Sequence, residues 1–299
     1  MVSRARAAAV GLVADMLLGE PPIRPHPLTL FGQAMAAVEA TIYRDTRRAG
    51  VLHAGVGGLI GGLAGWATAS TAAATYLAVA QRALSEAAGD VQLALEHGDL
   101  AAARSQLRSL VSRDAAELEG KGIARAAIES VAENTVDAIV APALWAAVGG
   151  APGALAYRAV NTMDAVVGYR NERYRNYGWA SARLDDGLNY IPARITAGLV
   201  VAVRPAGRAE IWRAVRHDAP HHPSPNAGVA EAAFAAALDV RLGGTNSYAG
   251  QAEARGSLGR GGDPTAADIQ RARTLSRDVT LALIAALAVT GRAWRKGRR

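Results

Sequence analysis

The chain has 299 residues, no cysteine and a formal net charge of +7. Its length suffices for a core that folds without staples, and the missing thiol excludes disulfides, iron–sulfur ligation and cysteine nucleophiles. Apolar residues make up 51% of the chain with only two Phe, so Ala, Val and Leu dominate, which suits closely packed helices better than a sheet sandwich.

The basic charge suits an anionic substrate or a cytoplasmic membrane surface. The arginines are scattered and lack an aromatic platform, which argues against nucleic acid as a partner. Residues 5–18 are predicted as a short helix ended by Gly19 and Pro21-Pro22. Asp15 within it, and Gly-Glu-Pro-Pro where a cleavage site would stand, mark it as retained rather than a signal peptide. The following loop holds His26 between two prolines, either a turn residue or a ligand contact.

Residues 51–80 carry no formal charge over more than the ~20 residues a spanning helix needs. Gly57, Gly61 and Gly65 recur at every fourth position, a spacing that lets another helix approach closely. No Gly-Lys-Ser/Thr follows them, so packing outweighs phosphate binding. Residues 81–135 read as a polar helical hairpin, with Gly98-Asp99 as turn or cap.

The stretch 129–194 is the densest in acids, amides and arginines. Helical spacing sets Arg125, Glu129, Glu133 and Asp137 on one face. The bland reading is a solvated salt-bridge stripe, but this face runs into the apolar segment 138–148, where carboxylates are costly without a function. Gly149-Gly150-Ala151-Pro152-Gly153 then breaks the apolar run too early for a full crossing, so the segment is a kinked span or a re-entrant hairpin, and the hairpin is preferred.

Tyr169, Arg170, Arg173, Tyr174, Arg175 and Tyr177 follow as an interfacial belt or a phosphate cradle. Asp185-Asp186 with Asn189 offers oxygen ligands for the magnesium of a nucleotide. In HDAPHHPSPNAG (217–228) the prolines exclude a helical two-histidine zinc site and favour a rigid loop presenting Ser224 and Asn226. Gly243 to Tyr248 read as a turn, and a polar stretch leads to the apolar run 279–289, with five positive charges in residues 292–299 as a cytoplasmic flank.

Taken together, DMLLGEPP with RPHPL, ESVAENTVD, NTMDAVVGYR, YGWASARLDD, NYIPAR and HPSPNAG resemble the adenosylcobinamide-phosphate synthases, also called cobyric acid aminopropanol ligases. The resemblance covers nearly the whole chain. Ala138 stands where Gly is expected, and Val229-Ala230 where Trp-Pro is expected; both are packing positions.

The resemblance implies an integral inner-membrane, multi-pass enzyme that consumes ATP to join an aminopropanol, or its phosphate, to a propionate of a corrinoid. The expected fold is an all-α polytopic membrane protein, a single domain over 1–299 with four to five membrane helices and re-entrant or amphipathic segments. Expected partners are the corrinoid, the aminopropanol and the lipid bilayer, with membrane-associated cobalamin-assembly enzymes and a homo-oligomer as further candidates.

Chemistry distributes the roles as follows. Asp164, Asp185 and Asp186 are candidates for Mg²⁺, and Arg170, Arg173 and Arg183 for phosphate. Glu129 or Glu133, beside Asn134, are candidates for the base that frees the amine. Asn161, Asn189, His222, Ser224 and Asn226 are candidate substrate contacts.

Two other classes compete. A magnesium-dependent membrane prenyltransferase would use Asn161-x-x-Asp164 and Asp185-Asp186-x-x-Asn189 as paired sites, and a membrane sensor resembling the ampicillin-resistance signalling protein would not need the full set of polar motifs. Spans at 51–80, 136–157, 191–203 and 279–291 would put the Ser224 loop across the membrane from Asn161. A shared site therefore requires one of these segments to be re-entrant or peripheral.

Overall fold

The computed structural model describes residues 3–111, 116–168, 171–248 and 251–296. Among them the chain forms twelve α-helices and one β-hairpin, and divides into two compact units. The first comprises Met1–Ala80, Asp137–Asn189 and Ile284–Arg299, and the second Gln81–Val136 and Tyr190–Leu283.

In the first unit, α1 (Arg4–Leu18), α2 (Pro27–Ile42), α3 (Arg47–Thr68) and α4 (Thr71–Ala78) all pack on α8 (Ala141–Val167). The uncharged stretch 51–80 is therefore two helices: Ala69 adopts a left-handed conformation that ends α3, and the Ser70 hydroxyl caps α4 by accepting from the Ala73 N–H. His26 is a capping residue, its Nδ1 accepting from the Leu28 N–H at the start of α2.

Within α8 the chain reverses. Gly150 has φ 69° and ψ −152°, open to glycine because it lacks a Cβ. A Cβ on Gly153 would lie 2.4 Å from the Trp145 carbonyl oxygen, although eight residues of straight helix span ~12 Å. The arms before and after Gly150 are antiparallel, so the Gly-Gly-Ala-Pro-Gly stretch makes a helical hairpin.

The second arm is the partner of the α3 glycines. A Cβ on Gly61 would meet Leu155 O at 2.6 Å, and one on Gly65 would meet Ala151 O at 2.4 Å, whereas Gly62 on the opposite face meets nothing within 4 Å. Small residues bring the two backbones into contact.

Three prolines shape the frame by freeing the carbonyl four residues earlier, since each lacks an N–H. Pro142 frees Ala138 O, which accepts from the Ala80 N–H at 3.0 Å. Pro152 frees Val148 O, which accepts from Arg4 at 2.9 Å. Pro192 frees Leu188 O, which accepts from the Trp145 indole at 3.1 Å. The turn Val136–Val140, just before Pro142, is π-helical, a widening that accommodates the proline ring and often marks functional sites.

In the second unit, α5 (Gln81–Glu96), α6 (Leu100–Leu107) and α7 (Gly120–Thr135) form the polar helical region. Gly98 has φ 74°, and the Asp99 carboxylate accepts from the Ala102 N–H at 2.8 Å to cap α6. After α9 (Trp179–Val203), whose first part belongs to the first unit, come α10 (Arg208–His217) and the Ala-rich α11 (Ala227–Leu238). Helix α11 is nearly wholly buried against α7, α10 and the hairpin of β1 (Leu242–Tyr248) and β2 (Gln251–Leu258). α12 (Ala266–Lys296) completes the chain.

Two sequence expectations change here. The all-α reading gains a two-stranded antiparallel sheet where a turn was expected. Its sequence, rich in Gly, has little strand propensity, and it is set by burial of the facing pair Leu242 and Leu258. The segment 191–203 is the end of a 25-residue helix rather than a separate span. Among the described residues two helical stretches are long and apolar enough to cross a membrane, Arg47–Thr68 and Gly120–Val167, and the second turns back at Gly150.

Candidate active site

The hairpin brings together polar groups far apart in sequence. Asp137 stands on the π-turn, Tyr157, Arg158 and Asn161 on the second arm of α8, and Asp185 and Asn189 one turn apart on α9. Asn161 Nδ2 donates to Asp137 Oδ2 at 3.3 Å and to Asp185 Oδ1 at 3.2 Å. Asn189 Nδ2 donates to Asp185 Oδ2 at 3.0 Å.

Each amide is oriented by a further donor. The Tyr157 hydroxyl donates to Asn189 Oδ1 at 2.7 Å, and Arg158 donates to Asn161 Oδ1 at 3.3 Å. Both NH₂ groups are thereby turned onto the carboxylates, and the amide assignments follow from the network. Tyr157, Asp185 and Asn189 are buried. Two carboxylates steered onto one amide form an acidic centre of fixed geometry.

Other predicted residues of this unit make contacts of their own. Asp186, a helical neighbour of Asp185, faces elsewhere and pairs with Arg183 at 3.3 Å. The Asp164 carboxylate lies against the backbone at Gly168, where a Cβ would fall 2.0 Å from its Oδ1. Arg173 donates to Glu39 at 2.8 Å and stacks over Tyr43, and the Tyr174 hydroxyl donates to the same carboxylate. Its partners are thus internal. Burial and then the Glu39 charge raise the nearby Tyr177 phenol. Tyr169 and Arg170 lie outside the described residues.

In the second unit, buried Glu129 accepts from the Gly243 N–H at 2.8 Å and lies 3.8 Å from Arg125. Glu133 and Asn134 are half-buried, and Asn134 donates to Ser130. The Ser224 hydroxyl accepts from the N–H groups of Asn226 and Ala227, where α11 begins. Arg194 donates to Asn226 Oδ1 at 2.8 Å and to Pro225 O at 3.1 Å. The Ser224 N–H donates to His222 Nδ1 at 3.1 Å, and His222 Nε2 lies 3.6 Å from the Glu231 carboxylate.

Sequence reasoning passed over Tyr157 and Arg158 and used Asp137 only as part of a face. A signal existed: Tyr157 stands four residues before Asn161, on the same face of α8.

A helical protein whose acidic centre joins Glu-Asn-x-x-Asp, Asn-Thr-x-Asp and Asp-Asp-x-x-Asn motifs is the class defined by fold and site, and comparison with known proteins agrees. The model of the family described as "CobD/Cbib protein" matches residues 8–276. A "Cobalamin biosynthesis protein CobD" of Mycobacterium tuberculosis is 50% identical over 96% of this chain and 95% of its own length. Proteins of the same name from Chromobacterium violaceum and Halalkalibacterium halodurans are 45% and 38% identical, covering 91% and 95% of this chain and 92% and 96% of their own lengths. No solved structure matches. The chain belongs to the CobD/CbiB family.

Proposed function

We propose that this protein is the cobalamin-biosynthesis enzyme that joins an aminopropanol, or its O-phosphate, to the free propionate of adenosylcobyric acid, at the expense of ATP, in the cytoplasmic membrane. The supporting observation is the network of Asp137, Asn161, Asp185 and Asn189, drawn from three separated motifs, in which Asp185 and Asn189 are buried and Asp137 and Asn161 half-buried. Such a network contributes little to folding for its desolvation cost, which favours a catalytic use.

Carboxylates do not condense with amines unaided. Transfer of the ATP γ-phosphoryl group to the propionate gives an acyl phosphate and ADP; the amine then attacks the acyl carbon, phosphate leaves, and the amine loses a proton. Mg²⁺ is commonly held by one or two carboxylates and completed by substrate phosphates. Asp137 and Asp185, steered onto one amide, fit that donor set, although no group of three or more such ligands occurs among the described residues. A metal there would neutralise phosphate charge.

Asp164 and Asp186 remain further candidate ligands, and Arg170, Arg173 and Arg183 remain candidate phosphate contacts, to be tested by substitution. Glu129 or Glu133, with Asn134 beside them, is proposed to take the amine proton. Asn161, Asn189, His222, Ser224 and Asn226 are proposed to contact substrate.

The membrane assignment is supported by large exposed apolar side chains in the first unit, among them Leu17, Leu59, Leu63, Trp66 and Val148. Membranes containing the protein, incubated with adenosylcobyric acid, MgATP and either amine, should yield an amide product by mass spectrometry. Its absence with both amines would overturn the proposal.

A further inference from the structure

Helices α2 and α3 and the second arm of α8 enclose a cavity of about 20 Å³ in the first unit. That volume admits one water-sized occupant and no organic molecule. Its walls carry Met35 and Glu39 of α2, His53 of α3 and Met163 of α8, with apolar Phe31 and Val166 beside them.

His53 is set as a ligand rather than as a core filler. It is 2% exposed, and its Nε2 lies 3.3 Å from the Met35 carbonyl oxygen. A carbonyl only accepts, so Nε2 carries the proton, and Nδ1 of the neutral ring is left as a lone pair. Nδ1 is buried and has no hydrogen-bond partner. The Tyr177 ring, 5.1 Å away between centroids, packs against the imidazole. An imidazole that holds a metal almost always donates its other N–H to a carbonyl or carboxylate, which fixes tautomer and orientation. A buried acceptor without a partner is costly, and a bound ion removes that cost.

Two thioethers converge on the same place. Gly57 stands one turn after His53 on the same face of α3. A Cβ there would collide with Met163 Sδ and would stand 3.2 Å from Met35 Cε, so the missing side chain lets both sulfur-bearing ends approach this face. Thioethers are soft donors that select Cu(I), whereas Mg²⁺ and Ca²⁺ require oxygen. One imidazole and two thioethers carry no charge. Glu39, on the wall, is already paired with Arg173 at 2.8 Å. The lining therefore offers little uncompensated negative charge, which disfavours a dication.

We propose that this cavity binds one soft monovalent metal ion of the Cu(I) class, ligated by His53 Nδ1 and the sulfur atoms of Met35 and Met163. The ion ties α2, α3 and the second arm of α8 together. The assignment does not depend on the ligase reading.

The test is titration of the full-length protein in detergent with Ag(I), a redox-inert ion of the same softness, and with Cu(I) kept reduced by ascorbate and competed against a chromophoric chelator. The chain has no cysteine to compete for either ion. One Ag(I) per chain should bind, and at a hundredfold excess over Kd it should raise Tm by roughly 5 °C. Met35→Leu and Met163→Leu conserve core volume and should leave the metal-free Tm within about 3 °C of wild type. Each should weaken Ag(I) by about tenfold or more, since a lost ligand costs no less than a lost outer-shell partner. In the X-ray absorption spectrum of the Cu(I) form, the methionine variants should lose sulfur neighbours and His53→Ala a nitrogen neighbour. Zn²⁺ should bind wild type and the Met35→Leu/Met163→Leu double variant alike.

Absence of Ag(I) binding in the wild type would overturn the site. Unchanged affinity in the double variant would also overturn it and give the ion to the histidines of the 217–222 loop. Zn²⁺ binding that is as tight as Ag(I) binding, and is lost with His53, would overturn the choice of a soft ion.

Discussion

The polar motif residues of the two units are bound in different ways. In the first, Asn161, Asp185 and Asn189 bond to one another and to Asp137, Tyr157 and Arg158, so their partners are side chains. In the second, Glu129, Asn134 and Ser224 bond mainly to backbone groups, at Gly243, Ser130, Asn226 and Ala227, with side-chain bonds from Asn134 to Ser130 Oγ and from Arg194 to Asn226 beside them. Bonds to backbone satisfy what the fold itself leaves open. A network among side chains does not, and this contrast supports the proposed chemistry at the hairpin network, while Ser224, a proposed substrate contact, also caps α11.

The largest effect that could break this contrast is on turnover. Asp185→Asn keeps shape and volume but removes the charge on which Asn161 and Asn189 converge. Turnover should fall by about 10³, with membrane insertion intact by fractionation. Full activity would remove Asp185 from the site.

Next comes the frame that holds the hairpin. Gly65→Leu drives a side chain into Ala151 and should destabilise by roughly 3 kcal/mol or more, whereas Gly62→Ala meets open space and should raise stability by about 0.5–1 kcal/mol. Thermal unfolding in detergent distinguishes them. Equal effects would mean that α3 packs by another face.

Much of this frame was legible. The four-residue spacing of Gly57, Gly61 and Gly65 disclosed a packing face, and Gly149 to Gly153 disclosed a break that fitted a kinked span or, by preference, a hairpin. The identity of the partner was not, because nothing local ties Gly61 to Leu155. The centre was half legible for the same reason. Asn161, Asp185 and Asn189 announced themselves as polar residues in apolar surroundings, while the pairing of Asn161 with Asp137 depends on the reversal between them. Tyr157 was hidden because a tyrosine in an apolar helix reads as core, and the β-hairpin because burial overrides its weak propensity.

Tyr157→Phe sharpens the contrast further. It removes the donor that orients Asn189 and leaves Asn189 Oδ1 without that bond, at a cost of about 1–3 kcal/mol. If the tyrosine acts by positioning, kcat should fall about tenfold with KM little changed, and Asn189→Ala should add little to the double variant. Additive losses would show that the two residues act separately.

A smaller effect concerns the second unit as framework. Burial raises the Asp218 carboxyl, but hydrogen bonds from Arg213 and the Gly259 N–H outweigh it and hold the group below its ordinary range. A depressed carboxylate stabilises fully above its unfolded value of about 4 and loses that contribution as pH falls through the folded value. Asp218→Asn should therefore lower Tm at neutral pH and flatten its decline in acid, while leaving turnover near wild type. An unchanged acid profile would show that the pair contributes nothing to stability.

The smallest expected change decides between a phosphate contact and a surface pair. Arg183 is 62% exposed and spaced three residues from Asp186 on α9, an arrangement that contributes well under 1 kcal/mol. As a surface pair, Arg183→Ala should leave stability and KM for ATP within about twofold of wild type. If instead Arg183 leaves Asp186 to hold a phosphate, KM for ATP should rise about tenfold while Tm stays fixed. Charge reversal of the pair separates the cases again: exchanging Arg183 and Asp186 preserves an ion pair on the helix but removes a cation from the phosphate position. Recovery of function in the exchanged protein would confine Arg183 to the surface and leave the hairpin network as the chemical centre of α9.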